Sequence, residues 1–113
     1  MNTLREAICY ATGLVKASRF EEAKSLLRTP VPVARRVLGD THDHTLRMRE
    51  IYARALCYDP AATLDDLREA VNTLEDIERI ARRVFGSANP LTVGIGHHLQ
   101  VTQAVLRARS AAP

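Results

Sequence analysis

The residues best suited to chemistry crowd one short stretch, Asp40, His42, Asp43 and His44. Imidazole beside carboxylate supplies the ligands of a catalytic metal and the bases of metal-assisted hydrolysis. His97 and His98, adjacent in the second half, could join such a set. One reading is therefore a metal-dependent hydrolase on a helical bundle, using Asp40, His42, Asp43 and His44. Other chemistry lacks its residues. Cys9 and Cys57 sit in apolar helical contexts without the spacing of a metal or redox pair, so both read as buried thiols. Gly94-Ile95-Gly96 has no following lysine with Ser or Thr, so it is not a phosphate loop. No Ser-His-Asp set, zinc-protease motif or cofactor signature can be assembled.

The elements that must position these residues are all helices. Thr3-Leu4-Arg5-Glu6 has the form of a capping box, and Leu4, Ile8, Ala11 and Leu14 or Val15 follow at helical spacing. Ser18-Arg19-Phe20-Glu21 has the same form and predicts a second helix with Phe20, Ala23 and Leu27 inward. Helices joined this tightly are antiparallel neighbours. Pro30 and Pro32 bias Thr29 and Val31 away from helical angles and predict a break. Helical spacing resumes through Val33, Val37 and Leu38 to Gly39, which suits the left-handed position closing a helix.

Thr41 or Asp43 can cap a third helix, with Leu46, Tyr52, Ala53 and Leu56 inward, ending before Asp59-Pro60. Thr63-Leu64-Asp65-Asp66 opens a fourth, whose stripe runs through Leu64, Leu67, Val71, Leu74, Ile77 or Ile80, Ala81 and Val84. Glu75 with Arg79 and Glu78 with Arg82 stand four apart as ion pairs on its solvated face. Gly86 ends it. Asn89-Pro90 starts a fifth helix through Leu91, Ile95, Leu99, Thr102 and Leu106, fraying from Ser110 onward. Gly94 and Gly96 inside it suggest close packing of another helix, or a weak and adaptable helix, with packing favoured.

Composition agrees with one such domain spanning residues 1–113. Hydrophobic residues make up 46% and charged residues 26%, which are globular values, while 4% aromatics leave packing to Ala, Leu, Val and Ile. A net charge of +3 is too small to predict nucleic acid as a partner. No apolar run suits a secretory signal or a membrane span, so the expected setting is cytoplasmic, with no membrane partner.

The chain also repeats itself. Ala34-Arg35-Arg36-Val37-Leu38-Gly39 recurs 47 positions later as Ala81-Arg82-Arg83-Val84-Phe85-Gly86. The same offset pairs Phe20 with Leu67, Glu22 with Glu69, Ala23 with Ala70, Leu27 with Leu74 and Thr45 with Thr92. A fixed offset of this kind marks a supersecondary unit stacked on its own copy.

These residues resemble the tetratricopeptide repeat in its kinesin-light-chain-like form. Val37-Leu38-Gly39 followed by His42 and Thr45-Leu46 is similar to that family's junction between repeats, as is Val84-Phe85-Gly86 followed by Asn89-Pro90 and Thr92-Val93. Phe20-Glu21-Glu22-Ala23 and Leu67-Arg68-Glu69-Ala70 resemble the start of its second helix. A standard repeat is about 34 residues and the kinesin-light-chain type roughly 42, and the excess of the present period over the latter is close to the inserted loop Asp59-Pro60-Ala61-Ala62-Thr63. HEAT and armadillo repeats of about 40 to 47 residues compete. Ala23 and Ala70 favour the first family, since they fall where its paired helices approach most closely.

The resemblance implies an all-α, right-handed solenoid of antiparallel helix pairs. Its units would be about 3–39 and 42–86, followed by a terminal helix at about 90–109. It implies a non-enzymatic protein-interaction module, a scaffold with a concave groove for a partner peptide or helix. The groove would be lined by Thr12, Val15 and Lys16 from the first helix, by Arg47, Glu50, Arg54 and Tyr58 from the third, and by His97 and Val101 from the fifth. Members that grip an extended peptide place asparagines where this chain has Cys9, Thr12, Ile51, Arg54, His98 and Val101. Lys16, Arg47 and Arg54 outweigh Glu50 in charge, which favours an acidic peptide. Val93, Val101 and Val105 add apolar surface to the terminal helix and predict self-association through it. On the hydrolytic side, His42-Asp43 invites comparison with the all-helical HD-type phosphohydrolases. Those need a histidine upstream of the pair, and none precedes His42.

Overall fold

The computed structural model describes residues 3–111, which form helices joined by short connections, with no strand among them. The segments are α1 (Thr3–Lys16), α2 (Phe20–Leu27), α3 (Pro30–Val37), α4 (Asp43–Cys57), α5 (Leu64–Phe85) and α6 (Pro90–Ser110). Six segments replace the five expected because the prolines split the second helix. The split is shallower than proline statistics suggest. Arg28 and Thr29 both keep right-handed helical angles, so the chain kinks there rather than unwinding. Pro30 stands at the start of α3, where its missing amide hydrogen costs nothing.

The caps follow local chemistry with several corrections. The side chain of Thr3 lies outside the described residues, and with it the first capping box. Ser18 does not cap α2. It adopts a positive φ of 60° and closes α1, with its own amide donating to the Val15 carbonyl at 3.0 Å and that of Arg19 to the Leu14 carbonyl at 2.8 Å. Arg19 takes the N-cap position without a side-chain cap and pairs with Glu22 at 2.6 Å. His42, not Thr41 or Asp43, caps α4. Thr63 and Asp66 form the reciprocal capping box of α5, and Asn89 caps α6 by accepting from the Leu91 amide at 2.9 Å. Arg82 reaches Glu78 at 3.6 Å as expected, but Arg79 turns to Asp76 at 2.7 Å instead of to Glu75.

Helices touch only near neighbours in the chain. The first three pack on one another and on α4, none of them meets α5 or α6, and α4 meets all five others. Two apolar cores result. One gathers Ala11, Leu14, Val15, Ala23, Leu27 and Ala34 around Met48, Ile51 and Ala55 of α4. The other sets Leu46, Ala53, Leu56 and Cys57 of α4 against Leu67, Leu74, Ile77, Ile95 and Leu99. Side chains such as Leu27, Leu46 and Leu74 are wholly buried, each contributing about 1.5–3 kcal/mol.

Several residues that match at the 47-residue offset also match in burial, although Phe20 is half-buried where Leu67 is buried, and Leu38 is half-buried where Phe85 is exposed. Ala23 and Ala70, Leu27 and Leu74, and Ala34 and Ala81 are all fully buried, while Arg36, Arg83, Val37 and Val84 all face solvent. On α6, Val93 is exposed but Val101 and Val105 are half-buried, and the surface also carries His97, Gln100 and Arg107. Ser110 is still helical, and residues 112–113 lie outside the described range. No helix among the described residues is long and apolar enough to cross a membrane.

Gly39 and Gly86 close their helices at φ values of 93° and 91°. Gly86 has ψ of 158°, so it occupies an extended glycine-only region rather than the left-handed helical one. Nothing lies within 4 Å of a Cβ added at either, so substitution tests the backbone alone. Gly39→Val and Gly86→Val should each cost about 1 kcal/mol or more, whereas Ser18→Gly should gain about 0.5–1 kcal/mol by relieving the left-handed serine. Urea denaturation midpoints check both signs.

Candidate functional site

The Asp40–His44 stretch does not converge on a metal. His42 is the N-cap of α4, and its Nδ1 accepts the His44 amide at 3.0 Å. That bond uses the lone pair of Nδ1, and the ring's proton then sits on Nε2. Asp43 is ion-paired with Arg47, and Asp40 with Arg35 at 2.8 Å. The His44 ring stands edge-on to His42 with centroids 5.1 Å apart. Among the described residues no group of three or more His, Cys, Asp or Glu side chains is placed to hold a metal ion.

A denser polar cluster lies where α4 meets α6. Arg47, Glu50, Arg54 and Tyr58 recur at three- and four-residue spacing, so they form one stripe along α4. Arg47 is exposed, and the other three are half-buried. The Tyr58 hydroxyl lies 2.5 Å from His98 Nδ1, and the rings meet edge-on. Thr102 Oγ1 is 2.7 Å from the His98 carbonyl and 3.0 Å from Cys57 Sγ. The hydroxyl has one proton and the carbonyl can only accept it. The thiol therefore donates to Oγ1. Gly94 completes the junction, since a Cβ there would stand 3.7 Å from Glu50 Oε2. At Gly96 the neighbour is Glu78 of α5, whose Oε2 would lie 2.8 Å from a Cβ. The two glycines thus sit beneath carboxylates of α4 and α5 rather than beneath another backbone.

Burial and one unpaired cation set the electrostatics. Burial raises the Glu50 carboxyl above the ordinary range, opposed by the charges of Arg54 and Arg47. Burial likewise raises the Cys57 thiol and the Tyr58 phenol. His98 is pushed down to about 4, first by burial and then by the positive Arg54 and by His97. At neutral pH it is an uncharged ring. Nδ1 can then accept from the Tyr58 hydroxyl.

The groove residues expected from the sequence divide into two sets. The α4 stripe of Arg47, Glu50, Arg54 and Tyr58 is continuous. From α6 it is His98, not His97, that meets the stripe. His97 is exposed with its ring 5.4 Å from that of His98, and Val101 is half-buried one turn further on. Adjacent histidines differ by about 100° around a helix, so choosing between them needs the rotation of α6, which periodicity gives only roughly. On α1, the Thr12 hydroxyl donates back to the Ile8 carbonyl at 2.7 Å and Lys16 is exposed. No hydrogen bond or ion pair joins either to the cluster. The broad hollow of about 480 Å³ beside Tyr10, lined by Leu14, Glu21, Glu22, Ser25 and Leu26, lies on the opposite face of α1 from Thr12. Comparison with protein-family models, curated proteins and solved structures finds no match to this chain.

The neutral His98 has a stability consequence. Its folded pKa lies below the ordinary value near 6.5, so the unfolded chain takes up this proton first as pH falls. The contribution of His98 is complete above pH 6.5 and is lost as pH falls toward 4. Glu50 acts in the opposite sense, because its raised folded pKa makes protonation favour the folded state. In a Glu50→Gln background the denaturation midpoint should therefore fall between pH 6.5 and 4, and adding His98→Gln should flatten that slope. An unchanged slope would place the His98 ring in water.

Proposed function

We propose that this chain is a non-enzymatic protein-interaction module, a right-handed helical repeat of the tetratricopeptide kind. In this reading α1 pairs with the kinked α2–α3, α4 pairs with α5, and α6 follows as the first helix of a further unit. The observation that carries it is the matched burial of residues 47 positions apart, in a molecule whose helices touch only near neighbours. That pattern is what stacked units require, because each can bury its apolar face only on the next. The extents of 49 × 30 × 22 Å suit a short stack.

The first helices α1, α4 and α6 would then line the groove, with Thr12, Lys16, Arg47, Glu50, Arg54, Tyr58, His97 and Val101 toward an acidic peptide or helix of a partner. The charge balance favours an acidic segment, with Lys16, Arg47 and Arg54 against Glu50. A displayed random-peptide library should yield acidic binders. Their footprint in amide-shift mapping should fall on α1, α4 and α6. A footprint on the outer faces of α3 and α5, or a library that yields no binder, would remove this reading.

A further inference from the structure

Three cations among the described residues are withdrawn from solvent. Lys24 rests against Glu21 at 2.6 Å, and Arg49 against Asp76 at 3.0 Å. Arg54 alone of the three has no carboxylate within ion-pairing range, although Glu50 sits one turn before it. Its Nε is buried without a hydrogen-bond partner. A half-buried guanidinium left in this state is costly, since desolvation is incurred and only the attraction of Glu50, beyond ion-pairing range, offsets it. Nor can its other neighbours supply an anion. The Tyr58 and Thr102 hydroxyls are neutral and bond to His98 and Cys57, and neither accepts from the Arg54 Nε proton. The two Nη groups carry no partner and are not enclosed as Nε is. They form the open end of a planar fork, the geometry that receives a carboxylate across two parallel N–H bonds.

We propose that Arg54 is the anchor for a carboxylate of a bound partner, received end-on across its two Nη groups between α4 and α6. The inference rests on the groove reading only for the source of that carboxylate, an Asp or Glu side chain or a free C-terminus. Glu50 sets the polarity of the site. Its carboxyl lies on the same stripe one turn away, so an N–H donor of the partner fits there while the carboxylate lies at Arg54. An adjacent pair of anions is disfavoured by the same group. Single acidic residues should therefore bind better than acidic runs.

The dry Nε gives a direct probe, because its proton should exchange slowly and remain visible in proton–nitrogen spectra at neutral pH. The protein would be titrated at constant ionic strength with acetate, with an acetylated and amidated Gly-Gly-Glu-Gly-Gly peptide, and with acetylated Gly-Gly-Gly-Gly-Gly bearing a free C-terminus. Saturable movement of the Arg54 Nε–H signal, absent with chloride, is the expected result. The peptide that produces it identifies a side-chain or terminal source. Arg54→Gln should weaken binding by about tenfold to a hundredfold, Arg54→Lys should recover part of it, and Arg36→Gln should leave it unchanged. Acetate saturation without peptide binding would keep the carboxylate site and defeat the groove. Peptide binding that survives Arg54→Gln, or an Arg54 signal unmoved by all three anions, would overturn the proposal.

Discussion

Everything in this fold depends on α4 being buried on two sides at once. Met48, Ile51 and Ala55 face one core, Leu46, Ala53 and Leu56 face the other, and Tyr52 borders both. Since the first three helices never touch α5 or α6, the two cores are coupled through this one element. A cavity made in either core should be felt at the other through the position of α4, because close-packed interiors transmit strain.

Two-sided burial explains why charge on α4 is so constrained. Polar residues interleave with apolar ones along the helix, so several must be taken out of water. Arg49 is almost fully buried and leans on Asp76 of α5, with Nη1 still unsatisfied. Arg54 lies at the α6 junction with no such carboxylate. The ionisation of neighbouring groups answers to that charge: it lowers His98 and opposes the upward push of burial on Glu50, Tyr58 and Cys57. The first cation is tied into the packing between α4 and α5. The second is left in tension between α4 and α6.

Much of the helical order was legible because it rests on local signals. The Thr63–Asp66 box, Asn89-Pro90 and the glycines at 39 and 86 mark helix ends through backbone chemistry that operates within a few residues. The stripe of α5 is plain because one face of that helix meets water along its length. What escaped the sequence depends on neighbours. A two-sided helix blurs its own periodicity, so Met48, Arg49 and Ala55 gave no inward signal. Ser18 was misread because serine suits an N-cap, whereas here it closes the preceding helix. The residues Arg47, Glu50, Arg54 and Tyr58 were singled out by the family resemblance. Their meeting with His98 depended on the rotation of α6 against α4.

Residues 47 positions apart agree where their surroundings impose the same demand and differ where those surroundings differ. Close helix contact needs Ala23 and Ala70, and a positive φ needs Gly39 and Gly86. Thr45 and Thr92 are both buried, yet only Thr45 has a partner, the Ala34 carbonyl at 3.3 Å, and the Thr92 hydroxyl is left unsatisfied. The α4 residues packed on the second core, Leu46, Ala53, Leu56 and Cys57, correspond to Val93, Gln100, Gln103 and Ala104 on α6. None of these four is buried, and two have become amides. Positions matched by the offset thus form an interior wall on α4 and an outer one on α6, with the exchange of leucine and alanine for glutamine suiting the second. The same exchange weakens the apolar argument for association through α6, where Val93 stands among polar neighbours instead of within a continuous patch.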